Sequence, residues 1–273
     1  MGLLSPRTPE PFGFKSPDEA ARVINIFLNN NEKLRLFDAI AEAVERFPHQ
    51  ALPFLVAAEK VYHSMENASR YDLYQKRTFD FGIQPGDKVL DIGSGHLPFP
   101  LATHLADLAI RDGNVGRNGI PFRYQEGKPV YECPVEHTPF RDKEFDFVYC
   151  SHVLEHSPDP AQACRELMRI AKRGYIETPT RGKDIFMVTA QASHHLNYVE
   201  LNHDVLTFYR YEPWEMQGLG HDILLQMHCR PQTDRERAFS ALLYLYPRQI
   251  NTMLLWEDDF RFRVNFDVPA DIS

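Results

Sequence analysis

Apolar residues recur at helical spacing in the first third of this chain and gather into short runs afterwards, the change falling near residue 85. Ser16-Pro17-Asp18-Glu19 sets an N-cap serine before a proline at the first helical position and a glutamate at N3, which predicts a helix start. Ala20, Val23, Ile24, Phe27 and Leu28 form its stripe, and Asn29-Asn30-Asn31 ends it. Leu36, Phe37, Ile40, Val44 and Phe47 make a second stripe that stops at Pro48, and Leu55, Ala58, Val61, Tyr62 and Met65 make a third. Residues 1–15 hold Pro6, Pro9, Pro11 and Gly13 without periodicity, so a flexible arm is predicted there and a helical segment over 16–80.

Beyond Pro85-Gly86 the runs are those of buried strands. Val89-Leu90-Asp91-Ile92 opens into Gly93-Ser94-Gly95, with a helix predicted from Pro98 or Pro100 through Leu105. Residues 108–112 are predicted as the second strand, ending in Asp112 before Gly113, where a ribose diol would find its acceptor. Further strands are predicted at 130–133, 145–150 and 175–179, with a helix from Asp159-Pro160 to Gly174 between the last two. Such alternation predicts an α/β fold with a parallel sheet. A helix is expected over 183–191, and residues 195–201 and 205–210 flank Asn202-His203-Asp204 like two antiparallel strands. Residues 238–246 and 252–266 are apolar segments with no assigned place, and Trp214 and Trp256 suit either an acceptor pocket or a core.

Charge narrows the function. Lys plus Arg total 30 against 38 Asp plus Glu, a net charge of -8 that opposes nucleic-acid and anionic-membrane partners. No stretch approaches the ~20 apolar residues of a membrane span, no signal sequence opens the chain, and Pro6 stands where myristoylation wants Ser or Thr. Cys133, Cys150, Cys164 and Cys229 include no CxxC pair, so neither a zinc site nor a disulfide framework is expected, and the chain is expected to be cytoplasmic.

Chemistry gathers at two places. The glycine turn offers free backbone N–H groups to a ligand, but the third glycine of a dinucleotide fingerprint falls at Pro98, which disfavours hydride transfer. Ser151-His152-Val153-Leu154-Glu155-His156 follows a strand, at the edge where open α/β sheets bind ligands. His152 to His156 also fits the HxxEH pattern of a zinc peptidase, which requires a helix that Pro158 and Pro160 oppose.

The order of these motifs resembles class I S-adenosylmethionine-dependent methyltransferases, in their small-molecule group, from about residue 86 to 179 and weakly onward to about 211. It is carried by Val89-Leu90-Asp91-Ile92-Gly93-Ser94-Gly95, by Pro139-Phe140 with Phe145-Asp146-Phe147-Val148, and by Val153-Leu154-Glu155-His156 before Asp159-Pro160. The resemblance implies a Rossmann-like, doubly wound seven-stranded sheet with a C-terminal antiparallel hairpin, to which the pair at 195–210 is assigned. The cofactor domain would cover 81–211, with the N-terminal helices as a cap and 212–273 as an extension packed on the same domain.

The resemblance also implies S-adenosylmethionine as cofactor. Asp91, Gly93, Ser94 and Gly95 would line its methionine part, Asp112 its ribose, Val135 and Glu136 its adenine, and Ser151 and His152 its amino-acid end. The family often has a third glycine where this chain has Leu97 and an aspartate where it has Pro134, which puts the local contacts in doubt. A hydroxyl nucleophile benefits from a base titrating near neutrality, so His156 is the first catalytic candidate and His152 the second. Against this, Glu155 and His156 can serve only to orient the helix that begins at Asp159. His194, His195 and Tyr198 can bind a sugar or phenol, join His156 on a metal, or simply occupy a strand end, and no metal ligand is assigned. The [ND]PPY tetrapeptide of base amine methylation is absent. The expectation is therefore O-methylation of a small-molecule or saccharide hydroxyl with histidine as general base. Its alternatives are an N- or C-directed small-molecule methyltransferase and a cofactor-binding, catalytically silent partner protein.

Overall fold

The computed structural model describes residues 2–65, 68–112, 117, 119–187, 194–212, 215 and 223–266; Trp214 and the end of the helix expected over 183–191 lie outside them. The helices are α1 (Pro17–Asn30), α2 (Lys33–Arg46), α3 (Ala51–His63), α4 (Pro160–Ile170), α5 (Arg181–Phe186), α6 (Ile223–Cys229) and α7 (Asp234–Leu245). The strands are β1 (Gly2–Leu3), β2 (Val89–Ile92), β3 (His104–Asp107), β4 (Val130–Glu132), β5 (Phe147–Ser151), β6 (Arg173–Pro179), β7 (Asn197–Asn202), β8 (Val205–Arg210), β9 (Asn251–Glu257) and β10 (Arg261–Asn265). They divide between two compact units, one of residues 1–5, 81–222 and 248–273, the other of 6–80 and 223–247. The stretch 212–273, expected as one extension, is thus shared between them.

The second unit is helical because its amphipathic stripes bury one another. Phe27, Leu36, Phe37, Ile40, Phe54, Leu55 and Tyr62 share a core with Ala238, Ala241 and Leu245 of α7. Ser16 caps α1 by accepting from Glu19 N at 3.2 Å, while the Glu19 carboxylate reaches Lys15 N at 2.7 Å rather than the cap's own N–H. The predicted flexible arm is tied down: backbone N–H groups of Phe12, Gly13 and Phe14 all donate to the Glu42 carboxylate, and Arg7 pairs with buried Asp38.

The first unit holds a mostly parallel sheet in the order β1-β9-β6-β5-β2-β3-β4, with β9 antiparallel to β6 and to the two-residue edge strand β1. Its core joins Leu90, Ile92, Val148, Cys150, Ile176 and Trp256 to Ala163, Cys164 and Leu167 of α4. Gly174 is required in β6, since a Cβ there would lie 2.6 Å from Val148 O and 2.8 Å from the Trp256 ring.

Three expectations change here. The pair at 195–210 forms, as β7 and β8, but in a separate three-stranded sheet with β10 parallel to β8; residues 251–257 supply the antiparallel strand of the main sheet instead. No helix follows the glycine turn, because only residues 93–103 separate β2 from β3 and Thr103 is already hydrogen-bonded to Val89 through N–H and hydroxyl. The second strand is His104–Asp107, with Leu108 beyond it 58% exposed, so the acid at its end is Asp107 and not Asp112. Among the described residues, no helix is long and apolar enough to cross a membrane.

Candidate functional site

Parallel pairing puts the C-terminal ends of the central strands at one level. Ile92 is in register with Ala106 and with Cys150, Asp107 with Glu132, and Ser151 with Glu177, so Gly93 falls in the row of Glu132, Asp107, Ser151 and Glu177. Open parallel sheets present ligand sites at such an edge.

At β2 the chain turns through Gly93, whose φ is +76° and where a Cβ would lie 2.2 Å from Val153 Cγ2. Both demands leave glycine as the residue that fits. Asp91, 2% exposed, accepts from Phe99 N at 2.7 Å, which ties the strand to the far side of the turn. Gly93 N and Ser94 N donate to Ala106 O, and Gly95 N donates to Asp107 Oδ2 at 2.9 Å. Asp107 Oδ1 accepts from the buried Arg117 guanidinium at 2.9 Å, and Arg117 also donates to the carbonyls of Ala109 and Asp112. Three donors engage Asp107, fewer than a carboxylate's roughly four acceptor positions. Asp112 is exposed, past the strand, and meets the site through its main-chain oxygen.

The hydroxyls of Ser94 and Ser151 are buried without a hydrogen-bond partner. Leaving such groups unmade costs about 1–3 kcal/mol each; Ser94 lies within the glycine turn and Ser151 at the end of the adjacent strand β5. A cofactor with donors and acceptors at its amino-acid end fits this pair and the glycine that a side chain would fill. Val135 packs into the core, while the Glu136 carboxylate accepts from Ser157 Oγ, which holds the turn after β4 to the segment after β5.

The second cluster follows β5. His152 adopts φ 59°, uncommon for a residue with a side chain, and its N–H donates to Glu177 O at 2.7 Å. Its ring lies between two buried carboxylates, Nδ1 3.2 Å from Glu155 Oε1 and Nε2 3.3 Å from Glu177 Oε1. Leu154–His156 is one 3-10 turn and not part of a helix, which removes the peptidase geometry. Asn197, fully buried, donates to Leu154 O and Ser157 O, and Leu196 N donates to Glu155 O, so the start of β7 is pinned against this turn.

His195 is thereby brought to His156, ring centroids 4.7 Å apart and planes at 78°. His195 Nδ1 lies 2.9 Å from Asp184 Oδ2, which also accepts from Tyr211 OH at 3.0 Å. His156 Nδ1 lies 3.2 Å from the His194 carbonyl. Burial lowers the His156 pKa, keeping the ring neutral. Burial would lower His195 as well, but its bond to Asp184 and the charge of Glu155 outweigh that and raise it. Glu155 is 1% exposed; burial alone would raise its pKa, yet the neighbouring His152, His156 and His195 bring it down to about 2.

His156 and His195 therefore meet, His152 joins them through Glu155, His194 contributes its carbonyl, and Tyr198 lies one residue beyond Asn197, stacked on Tyr209 at 4.9 Å beneath Arg181 and against Tyr211 at 5.1 Å. Asp107, Arg117, Glu177 and Asp184 are additions to the residues expected from the sequence. Asp107 had a signal, an acid closing a short apolar run; Asp184 had none, since its partner is eleven residues on in a different element.

A family profile described as Methyltransferase domain matches residues 90–176. The chain is 30% identical over 173 residues to the ubiquinone biosynthesis O-methyltransferase of Photorhabdus laumondii, covering 55% of this chain and 69% of that protein. It is 33% identical over 103 residues to the ubiquinone/menaquinone biosynthesis C-methyltransferase UbiE of Xanthomonas oryzae, covering 34% of this chain and 41% of that one, less than half its length. A SAM-dependent methyltransferase structure from Thermotoga maritima is similar at 23% identity, covering 50% of this chain and 59% of its own, with a TM-score of 0.30.

Proposed function

The chain belongs to the class I S-adenosylmethionine-dependent methyltransferases, and from that premise we propose that it methylates a hydroxyl of a small-molecule acceptor at the C-terminal edge of β2 and β5. When bound, S-adenosylmethionine supplies an electrophilic methyl group on a sulfonium, and class I members of the family use it. Asp91, Gly93, Ser94, Gly95 and Ser151 hold the cofactor in this proposal, and Asp107 takes the ribose position first expected at Asp112.

Methyl transfer requires an in-line nucleophile, so positioning supplies most of the rate. A hydroxyl acceptor must also lose its proton, and a group within hydrogen-bond reach with a pKa near neutrality serves best. His156 is the proposed base: its Nδ1 faces a carbonyl, which can only accept, so the neutral ring carries its proton there and keeps Nε2 as an acceptor. His152 stands between Glu155 and Glu177 and orients the turn. The observation that carries the proposal is the pair of buried, unpartnered serine hydroxyls beside the glycine turn, one segment away from the histidine cluster.

O-transfer is favoured over C-transfer because similarity to the O-methyltransferase extends over more of both chains. Saccharides and phenols are both within the acceptor class. Four free cysteines, three of them buried, suit a reducing, cytoplasmic setting. The test is incubation with methyl-labelled S-adenosylmethionine and panels of phenols, saccharides, amines and activated carbon acids, with products read by mass spectrometry and NMR. Label on an oxygen supports the assignment; label on nitrogen or carbon overturns O-direction, and no transfer to any acceptor overturns the enzyme assignment in favour of a silent cofactor-binding protein.

A further inference from the structure

Glu155, His156 and His195 each bring a ligand atom within 4.8 Å of the other two, and the geometry points to a binding site for one divalent first-row transition ion of the Zn2+ type. The sequence offered His195 and His156 as one possible metal pair without assigning it, and Glu155 is the donor that the structure adds to them. Two independent features support the site. The first is Glu155: both of its oxygens are buried without a hydrogen bond, His152 standing at ion-pair distance but outside hydrogen-bonding geometry. With only an imidazole 3.2 Å from one oxygen, this buried carboxylate keeps acceptor positions that a cation can fill.

The second feature is the orientation of the rings. Metal-bound histidines characteristically donate their other N–H to a carboxylate or a backbone carbonyl. Here His195 Nδ1 meets the Asp184 carboxylate and His156 Nδ1 meets the His194 carbonyl, which leaves both Nε2 lone pairs for a ligand. Tyr211 in turn holds the Asp184 oxygen that orients His195. Two imidazoles and one carboxylate suit Zn2+, Co2+ or Fe2+ better than Mg2+ or Ca2+, which prefer all-oxygen sites, and three protein donors leave coordination positions open.

An acceptor oxygen on an open position would lose its proton to solvent water more readily, since a bound divalent ion lowers the pKa of a coordinated hydroxyl. That role rests on the O-methyltransferase proposal and replaces proton removal by bare His156; the site itself stands on its geometry. The full chain, stripped with chelator, is titrated with Co2+ and followed by visible d–d absorption, then with Zn2+ by calorimetry. S-adenosylhomocysteine is titrated in parallel. The expected result is one Co2+ per chain, displaced by Zn2+ and lost in His195→Ala and Glu155→Gln. Asp184→Asn, which leaves all three ligands in place, should weaken binding about 10–100-fold. All three variants should still bind S-adenosylhomocysteine, which shows that they are folded, and exposed His49→Ala should bind Co2+ like the wild type. No stoichiometric Co2+ or Zn2+ on the wild type, or binding unchanged in all three site variants, overturns the metal site. Failure of the wild type to bind S-adenosylhomocysteine instead counts against the cofactor assignment and leaves the metal result to stand by itself.

Discussion

At the scale of single residues, the Asp184–His195 pair makes the sharpest pH prediction. The His195 pKa is raised in the folded chain, so its contribution to stability is fully present below the unfolded value of about 6.5 and is lost as pH rises through the folded one. Denaturant unfolding of chelator-stripped wild type and Asp184→Asn should accordingly show a gap that is widest in acid and narrows above neutrality; a gap constant with pH contradicts a charged pair. His156→Ala should cut turnover by about 10²–10⁴-fold while cofactor affinity is kept. Wild-type turnover in that variant would remove His156 from the chemistry, whether as a base or as a ligand.

Elements fix where these groups stand. Asn197 ties the start of β7 to the turn carrying Glu155 and His156, so Asn197→Ala takes the donor from the Ser157 carbonyl, at about 1–3 kcal/mol, while the Leu154 carbonyl keeps Ser157 N–H. Urea unfolding should show the loss, and turnover should fall further than cofactor affinity; an unchanged turnover would mean that the turn holds its place without Asn197. Asp159 caps α4 by accepting from Gln162 N, and Asp159→Ala should cost about 0.5–2 kcal/mol with little effect on turnover. At the same scale, the lack of a helix after β2 matters chemically. Where the sequence predicts a helix from Pro98 or Pro100, there are turn N–H groups and an aspartate tied to Phe99 N.

Across the whole molecule, what could be read from the sequence was whatever local pattern determines. The three N-terminal helices follow from their stripes and from proline and asparagine stops, and β2, β5 and β6 from short apolar runs bounded by turns. The second strand was misplaced because Leu108-Ala109-Ile110 is more apolar than His104-Leu105-Ala106-Asp107, although pairing with β2 selects the latter. Long-range pairing was invisible: β10 joins β8 from fifty residues away, and residues 223–247 leave the sheet unit to join the helices. The glycine turn from Asp91 to Gly95 lies within one contiguous motif and its place after a buried strand was legible, while Asp107 and Ser151 come to it from the neighbouring strands. On the histidine side, His195 beside His156 was one of several open readings about forty residues apart in sequence, and the Asp184 that orients His195 is revealed by the folded chain alone. The central claim is that the donor binds at the glycine turn after β2, where Gly93 has a positive φ and no room for a Cβ. Calorimetric titration of S-adenosylmethionine into wild type and Gly93→Ala tests it most directly. One site on the wild type, weakened about tenfold or more in a variant that still unfolds cooperatively, is the predicted result; equal affinity in the two proteins, or none in the wild type, would contradict it.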